Sequence, residues 1–320
     1  KDESLLRLSS RNKNMNNSII KKYITLSSVI VILIIILTAV ILLKNKGYSL
    51  PSMKKINSNI SEITIKRGAN ETISIKYNGD KWTVNDKYNA DDNLVNAITN
   101  ALYTIEPIEI VSRGDDDTIS KYKLSDDEAL SVQALNSSSK EVRNIKFGMK
   151  SAFGNSVYSK IDNDKNIYLL GNTASNPKDI FDKTENDLIN KTITKIKNDD
   201  IEKIIIEYNN NSYSLEKNTN DSDNTWIKNW NNNIANDIYA SIFTLANLNA
   251  DGLIKNDNIS KNAPLYKINI QTSDNNLYYE ILNKYDDNNY EIVSSNDNNR
   301  YYITENSFNS FIESVNDIIN

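Results

Sequence analysis

The chain has 320 residues, with 37 Lys/Arg against 42 Asp/Glu, and contains neither Cys nor His. The missing thiolates exclude disulfides and Cys-ligated metals, and the missing imidazole removes the commonest general base and metal ligand. A Ser-His-Asp triad, an H-E-x-x-H zinc site and a haem–His site are therefore impossible, and no Gly-rich phosphate loop occurs among the eight Gly.

Residues 1–23 form a polar N-terminal tail carrying Arg7, Arg11, Lys13, Lys21 and Lys22. Residues 24–43 read ITLSSVIVILIIILTAVILL, with no charge, Pro or Gly. A helix of that length, rising about 1.5 Å per residue, spans roughly the 30 Å of a bilayer's hydrocarbon core. Lys44 and Lys46 close its far end, within snorkelling reach of headgroups. The apolar run exceeds the h-region of about 7–15 residues in a cleaved signal peptide, and no A-x-A site follows it. It reads as an uncleaved signal anchor whose partner is the lipid bilayer. Arg7, Arg11, Lys13, Lys21 and Lys22 before the span, set against Lys44, Lys46, Lys54 and Lys55 after it, favour a cytoplasmic N-terminus by a narrow margin. The C-terminal part is then extracytoplasmic and the protein a single-pass component of the cell membrane. Residues 56–320 hold 27 Lys/Arg against 40 Asp/Glu, a net charge of −13, which repels phosphate backbones and argues against nucleic-acid binding.

After a linker at 44–59 the pattern occurs twice, over residues 60–197 and 198–320. Each copy opens with two alternating β runs and a short segment on a Trp, Trp82 in the first and Trp226 in the second. Asn78-Gly79 predicts a type I′ hairpin in the first copy; a longer polar loop takes its place in the second. A helix follows in each. Leu94, Ile98, Ala101, Leu102 and Ile105 share one face behind Asp91 and Asp92. Ile234, Ile238, Ile242, Leu245 and Leu248 share another behind an Asn233 cap. Four short strands come next: 131–135, 142–147, 157–161 and 167–170, then 266–270, 277–282, 290–293 and 301–303. Helical stretches near 177–183 and 307–318 close the copies. The fold class is α+β: an N-terminal transmembrane helix, then two tandem repeats of mostly antiparallel sheet covered by a helix.

Carboxylates are the remaining acid–base groups, and a glycosidase-like pair needs two of them about 5–10 Å apart. The densest clusters are Asp115–Asp117, read as a solvated loop, and Asp126–Glu128, read as a helix start. Asp162-x-Asp164-x-Asn166 matches the opening of a calcium loop, but Ile167 and Thr173 stand where Gly and Glu are required, so it reads as a hairpin turn. No catalytic, cofactor or metal residue emerges. Most of the 18 Tyr fall at alternating strand positions that pack across strands. Tyr278, Tyr279, Tyr301 and Tyr302 form two adjacent pairs, each directing one ring to either sheet face, and are the candidate partner-facing aromatics.

Four features together resemble one bacterial family, catalogued as domain of unknown function 4340. They are the anchor, Trp82 after a hairpin, Ala90-Asp91 opening a helix, and Lys121-Tyr122-Lys123-Leu124 before a strand. The family's usual Gly is Lys123 here. The resemblance implies a single-span, non-enzymatic accessory protein of the envelope, associated with auxiliary parts of ABC-type transport systems named for gliding motility. The expected function is accordingly a membrane-anchored extracytoplasmic binding protein with an envelope or transporter protein as partner. An envelope hydrolase using paired carboxylates is the alternative.

Overall fold

The computed structural model describes residues 2–44, 53–69, 71–152, 154–171, 174–218, 225–235, 237–255 and 263–320, with side chains of the first helix described over 20–41. Residues 45–52, with the Lys46 flank and half of the 44–59 linker, and most of the polar loop before Trp226 lie outside the described residues. The chain divides into two units, residues 1–54 and 55–320.

The first unit is one helix, α1 (Asp2–Lys44). Its stretch Ile20–Ile41 is long and apolar enough to cross a membrane, and every side chain there is exposed. Three hydroxyls within it, those of Thr25, Ser28 and Thr38, are satisfied locally. Thr25 Oγ1 donates to the Lys21 carbonyl at 2.9 Å and Thr38 Oγ1 to the Ile34 carbonyl at 2.7 Å. Such back-bonding lets polar side chains sit in an apolar run without an unpaired donor.

The second unit begins with β1 (Ile60–Arg67), β2 (Glu71–Tyr77), β3 (Trp82–Val84) and β4 (Tyr88–Asn89). Helix α2 (Asp92–Thr104), β5 (Pro107–Arg113) and the short α3 (Asp116–Lys121) follow. A second meander comprises β6 (Leu130–Asn136), β7 (Glu141–Lys150), β8 (Ser156–Ile161) and β9 (Asn166–Gly171). The sheet order is β4-β3-β2-β1-β6-β7-β8-β9-β5, antiparallel throughout. Strands β4 and β5 lie at opposite edges, so the helix joining them must cross one face and cover it. That face is the core: Ile63, Ile75, Val132, Ile145 and Phe147 meet Val95, Ile98 and Leu102 of α2, all at 0 % exposure. Asp91 caps α2, accepting from Asn93 N at 2.9 Å and Leu94 N at 3.1 Å.

A 3₁₀ turn (Pro177–Ile180) and α4 (Glu185–Leu188) lead to the second copy. Its elements are β10 (Ile201–Tyr208), β11 (Asn211–Lys217), β12 (Trp226–Lys228), β13 (Asn233–Ala235), α5 (Tyr239–Ala246) and β14 (Gly252–Leu253). Then come β15 (Tyr266–Thr272), β16 (Asn276–Lys284), β17 (Asn289–Ser294), β18 (Arg300–Thr304) and α6 (Glu305–Ile319). The order β13-β12-β11-β10-β15-β16-β17-β18-β14 repeats the first sheet strand for strand. Irregularities repeat as well. The β1–β6 ladder shifts between Ile60 and Glu62, and β10–β15 between Ile201 and Lys203. The β7–β8 ladder shifts between Phe147 and Lys150, and β16–β17 between Ile281 and Lys284. Bulges re-aim strands and are built-in features, so their recurrence makes the duplication a property of the backbone as well as of the sequence.

Four local expectations are corrected. Asn233 and Ile234 belong to β13, paired with β12, and α5 begins only at Tyr239; Ile234 is 56 % exposed. The Asn78-Gly79 loop is not type I′. Gly79 alone has positive φ, and Asn78 Oδ1 holds the turn by accepting from Asp80 N and Lys81 N. Left-handed pairs lie instead at Asn209-Asn210 (φ 48° and 61°), between paired Tyr208 and Asn211, and at Asn85-Asp86 (φ 52° and 56°), with Lys87 N donating to Val84 O at 3.1 Å. Asp115 caps α3 through Thr118 N at 2.9 Å, which puts Asp116 and Asp117 in a helical first turn, whereas Asp126–Glu128 form a turn and no helix. Finally, the stretch near 177–183 is a single 3₁₀ turn, far shorter than α6.

The segment joining the copies pairs with both. Ala90 bridges Ile189, with Asp91 N donating to Leu188 O and Asn190 N to Asn89 O, each at 2.8 Å. Thr192 then bridges Asn249, with Ile193 N donating to Leu248 O at 2.9 Å and Ile196 N to Ala246 O at 3.0 Å. Glu185 binds Asn85 of the first copy at 2.7 Å and Lys255 of the second. Its burial works against ionisation, but the hydrogen bonds from Lys255 and Asn85 outweigh that and hold its pKa below the ordinary value.

Candidate functional site

The four candidate tyrosines have different fates. Tyr279 is fully buried on the core face, donating to the Leu245 carbonyl at the end of α5 at 3.1 Å. Tyr301 is 2 % exposed, and its hydroxyl donates to Asp297 Oδ2 at 2.8 Å while accepting from Asn299 Nδ2 at 3.3 Å. Burial, reinforced by Asp297, pushes its pKa up. Tyr302 lies over Gly252, where a Cβ would strike its ring, and faces Tyr285 at a centroid distance of 6.4 Å. Tyr278 is 42 % exposed, with Lys267 Nζ 5.5 Å from its ring centre. Of the four, then, only Tyr278 presents most of a ring outward.

The acidic clusters are structural where their partners are described. Asp164 and Asn166 hold the β8–β9 hairpin. Asp164 Oδ2 accepts from the Tyr168 hydroxyl at 2.7 Å and Oδ1 from Asn166 N at 2.8 Å, matching Asp297, Asn299 and Tyr301 atom for atom. The residues that resembled a calcium loop are thus one of two copies of a turn lock. Asp162 accepts from Arg143 Nη1 at 2.8 Å and from Asn144 N at 2.9 Å, and Arg143, only 1 % exposed, also reaches the Leu102 carbonyl at 3.4 Å. A cation at a helix C-terminus is favourably placed against the dipole. Asp115 (through Thr118), Asp126 (through Lys146), Glu216 (through Lys203) and Asp286 (through Asn289) all have lowered pKa values. A general acid requires the opposite shift. Among the described residues, no three Asp or Glu are grouped so as to hold a metal ion.

A concave surface appears where sequence patterns pointed to nothing. A groove of about 530 Å³ opens on the helix-bearing side of the first repeat, within the size range of ligand pockets. Ala101 and Ile105 of the α2 end, with Pro107 and Ile108 of β5, line one wall. Pro177 and Ile180 of the 3₁₀ turn line the other, above Phe181, which is fully buried and stacked on Phe147 at 5.2 Å. Ile108 is 52 % exposed at the edge of this groove. Two polar side chains of the lining are already engaged. Asn176 Nδ2 donates to the Ser156 carbonyl at 3.1 Å, its Oδ1 accepts from Lys178 N at 2.9 Å, and Thr104 Oγ1 donates to the Asn100 carbonyl at 2.8 Å. The interior therefore suits an apolar guest. Glu106 and Glu109 stand exposed on the β5 rim. The one sequence signal for this groove was the unequal length of the two closing helical stretches.

Fold and groove together define a class: an α+β protein of two tandem nine-stranded antiparallel sheets behind an apolar helix, with a docking-sized cleft in the first repeat. The profile of the family described as Domain of unknown function (DUF4340) matches residues 82–267, more than half of the chain, and the protein belongs to that family. The match opens on Trp82, crosses the junction between repeats and ends in β15. No curated protein and no solved structure matches the chain.

Proposed function

We propose that the protein is a membrane-anchored accessory protein that holds its paired sheets outside the cytoplasm and docks another envelope protein, a component of a transport complex. The observation that carries the docking reading is the groove beside Ile108. Ala101, Ile105, Pro107, Ile108, Pro177 and Ile180 give it apolar walls, Thr104 and Asn176 are hydrogen-bonded within the chain, and Ile108 stands open at its lip. Exposed apolar surface of this kind costs solubility unless a partner covers it. The Ile20–Ile41 helix supports the anchoring half of the reading, since from Ile24 onward it carries no charge, its side chains are exposed, and Thr25, Ser28 and Thr38 are back-bonded. The downward pKa shifts of the displaced carboxylates lend no support to a carboxylate hydrolase.

Anchoring is tested by alkaline carbonate washing of membranes that contain the full chain; release into the aqueous fraction would refute it. Orientation is tested by protease added to intact spheroplasts, which should degrade the sheets and spare the N-terminal tail. Docking is tested by placing a photo-crosslinking residue at position 108 and purifying from detergent-solubilised membranes. A discrete protein adduct absent from a position-140 control is the expected result. Identical patterns from the two positions would argue against docking through the groove.

A further inference from the structure

Each repeat ends with a segment that returns from its last strand onto the helix-bearing face. In the second repeat this is α6, fifteen residues long, with Phe308, Phe311, Val315 and Ile318 buried along one stripe. It lies along α5, with Ser241 Oγ donating to Asp317 Oδ2 at 3.0 Å, and its Phe311 ring meets Tyr266 and Tyr279 edge-on. In the first repeat the same position in the order of elements holds a four-residue 3₁₀ turn. Phe181 alone does the work of the aromatic pair, on Phe147. Helix α2 therefore lacks the companion that α5 has, and the groove opens on the flank left bare, against Ala101 and Ile105.

We propose that this groove receives an amphipathic helix from the protein partner, seated against α2 as α6 is seated against α5. The proposal rests on the docking reading above and gives its partner a chemistry. The second repeat shows which kind of element completes this architecture: a helix with large apolar side chains at i, i+3, i+7 and i+10. Helix-in-groove recognition uses that same spacing of anchors. The rim sets the charge. Glu106 is exposed in the lining on the β5 side, while α6 itself carries Glu305, Glu313 and Asp317. A helix with the apolar stripe of α6 but with Lys or Arg on its flanks is the complementary guest. Complementary rim charges act chiefly on partner choice and encounter rate.

The test uses the full chain in detergent micelles and two fluorescent peptides, read by anisotropy against empty micelles. One peptide is residues 305–320; the other carries Glu305→Lys, Glu313→Lys and Asp317→Lys. The Lys-bearing peptide is expected to bind saturably and about tenfold more tightly than the native one. Ile108→Asp should weaken it by about tenfold or more, the scale of losing an interface anchor. Glu106→Lys, a change at an exposed position of the lining, should narrow or reverse the preference between the peptides. Absence of saturable binding by either peptide would overturn the proposal, and so would binding indifferent to both substitutions. In either case a crosslinked adduct at position 108 would still uphold docking itself.

Discussion

The Tyr168 hydroxyl donates to Asp164 at 2.7 Å, and in the second repeat Tyr301 donates to Asp297 at 2.8 Å, each from a ring almost wholly shielded from water. In both copies the carboxylate also accepts the backbone N–H two residues on. One Asp thereby fastens a hairpin turn to a core tyrosine. A hydrogen bond to a charged group contributes about 1.5–3 kcal/mol. Tyr168→Phe and Tyr301→Phe should each lower stability by that order, as read from the urea midpoint by Trp fluorescence. A loss below about 0.5 kcal/mol in both would mean that the turns are held by their backbone alone.

Lys123 adopts a left-handed conformation, φ 55°, just past the end of α3. Lys123 N donates to the Ser120 carbonyl at 3.1 Å and Leu124 N to the Ile119 carbonyl at 2.9 Å, the two bonds of a Schellman ending. That position favours Gly, because a Cβ costs about 1–2 kcal/mol there. Lys123→Gly should therefore stabilise the protein by about 1 kcal/mol, whereas Lys123→Val should destabilise it. Equal urea midpoints for the two variants would contradict this account.

Arg143 and Asp162 differ in how far they are withdrawn from water, with side-chain exposures of 2 % and 30 %. Removing one member of a buried ion pair costs about 3–5 kcal/mol, because the other is left uncompensated. Asp162→Ala strands the buried cation, so it should be the more damaging change. Arg143→Met leaves a carboxylate that water can reach and should cost less. Thermal melts of the two variants decide the order.

Alkaline pH should loosen the second repeat. Burial, with the adjoining Tyr208 hydroxyl, pushes the Tyr266 pKa up to about 12, against about 10 for an unfolded tyrosine. A pKa raised by folding means that the stabilisation is complete below pH 10 and is lost as pH rises towards 12. Tyr279 and Tyr301 are shifted in the same direction by burial. The urea midpoint should fall between pH 9.5 and 11.5, more gently in Tyr266→Phe. A midpoint that stays level across that range would be inconsistent with the buried hydroxyls.

Strand alternation and helix stripes made the duplicated sheet readable before any coordinates, because each strand buries one face and the pattern recurs with period two. Capping by Asp91 was readable for the same reason: the chemistry is local. Ile234 misled, since a short apolar run ahead of α5 fits a strand and a helix equally and its neighbour β12 decides the matter. The type I′ turn was misplaced because Gly79 suits several loop types, while Asn85-Asp86 and Asn209-Asn210 adopted the left-handed pairs instead. The groove was readable only as a difference in length between the two closing helical stretches. It exists because a helix present in one copy is replaced by a turn in the other, and what bounds it is the distance between α2 and the 3₁₀ turn, which no residue pattern encodes.

The strip from Leu188 to Ile196 is bonded first to the corner between β4 and α2 and then to the end of α5 and the residues after it, with Lys191 O also accepting from Ala250 N at 2.8 Å. Main-chain bonds on both sides of Asn190 leave this joint fewer free torsions than a bare linker has.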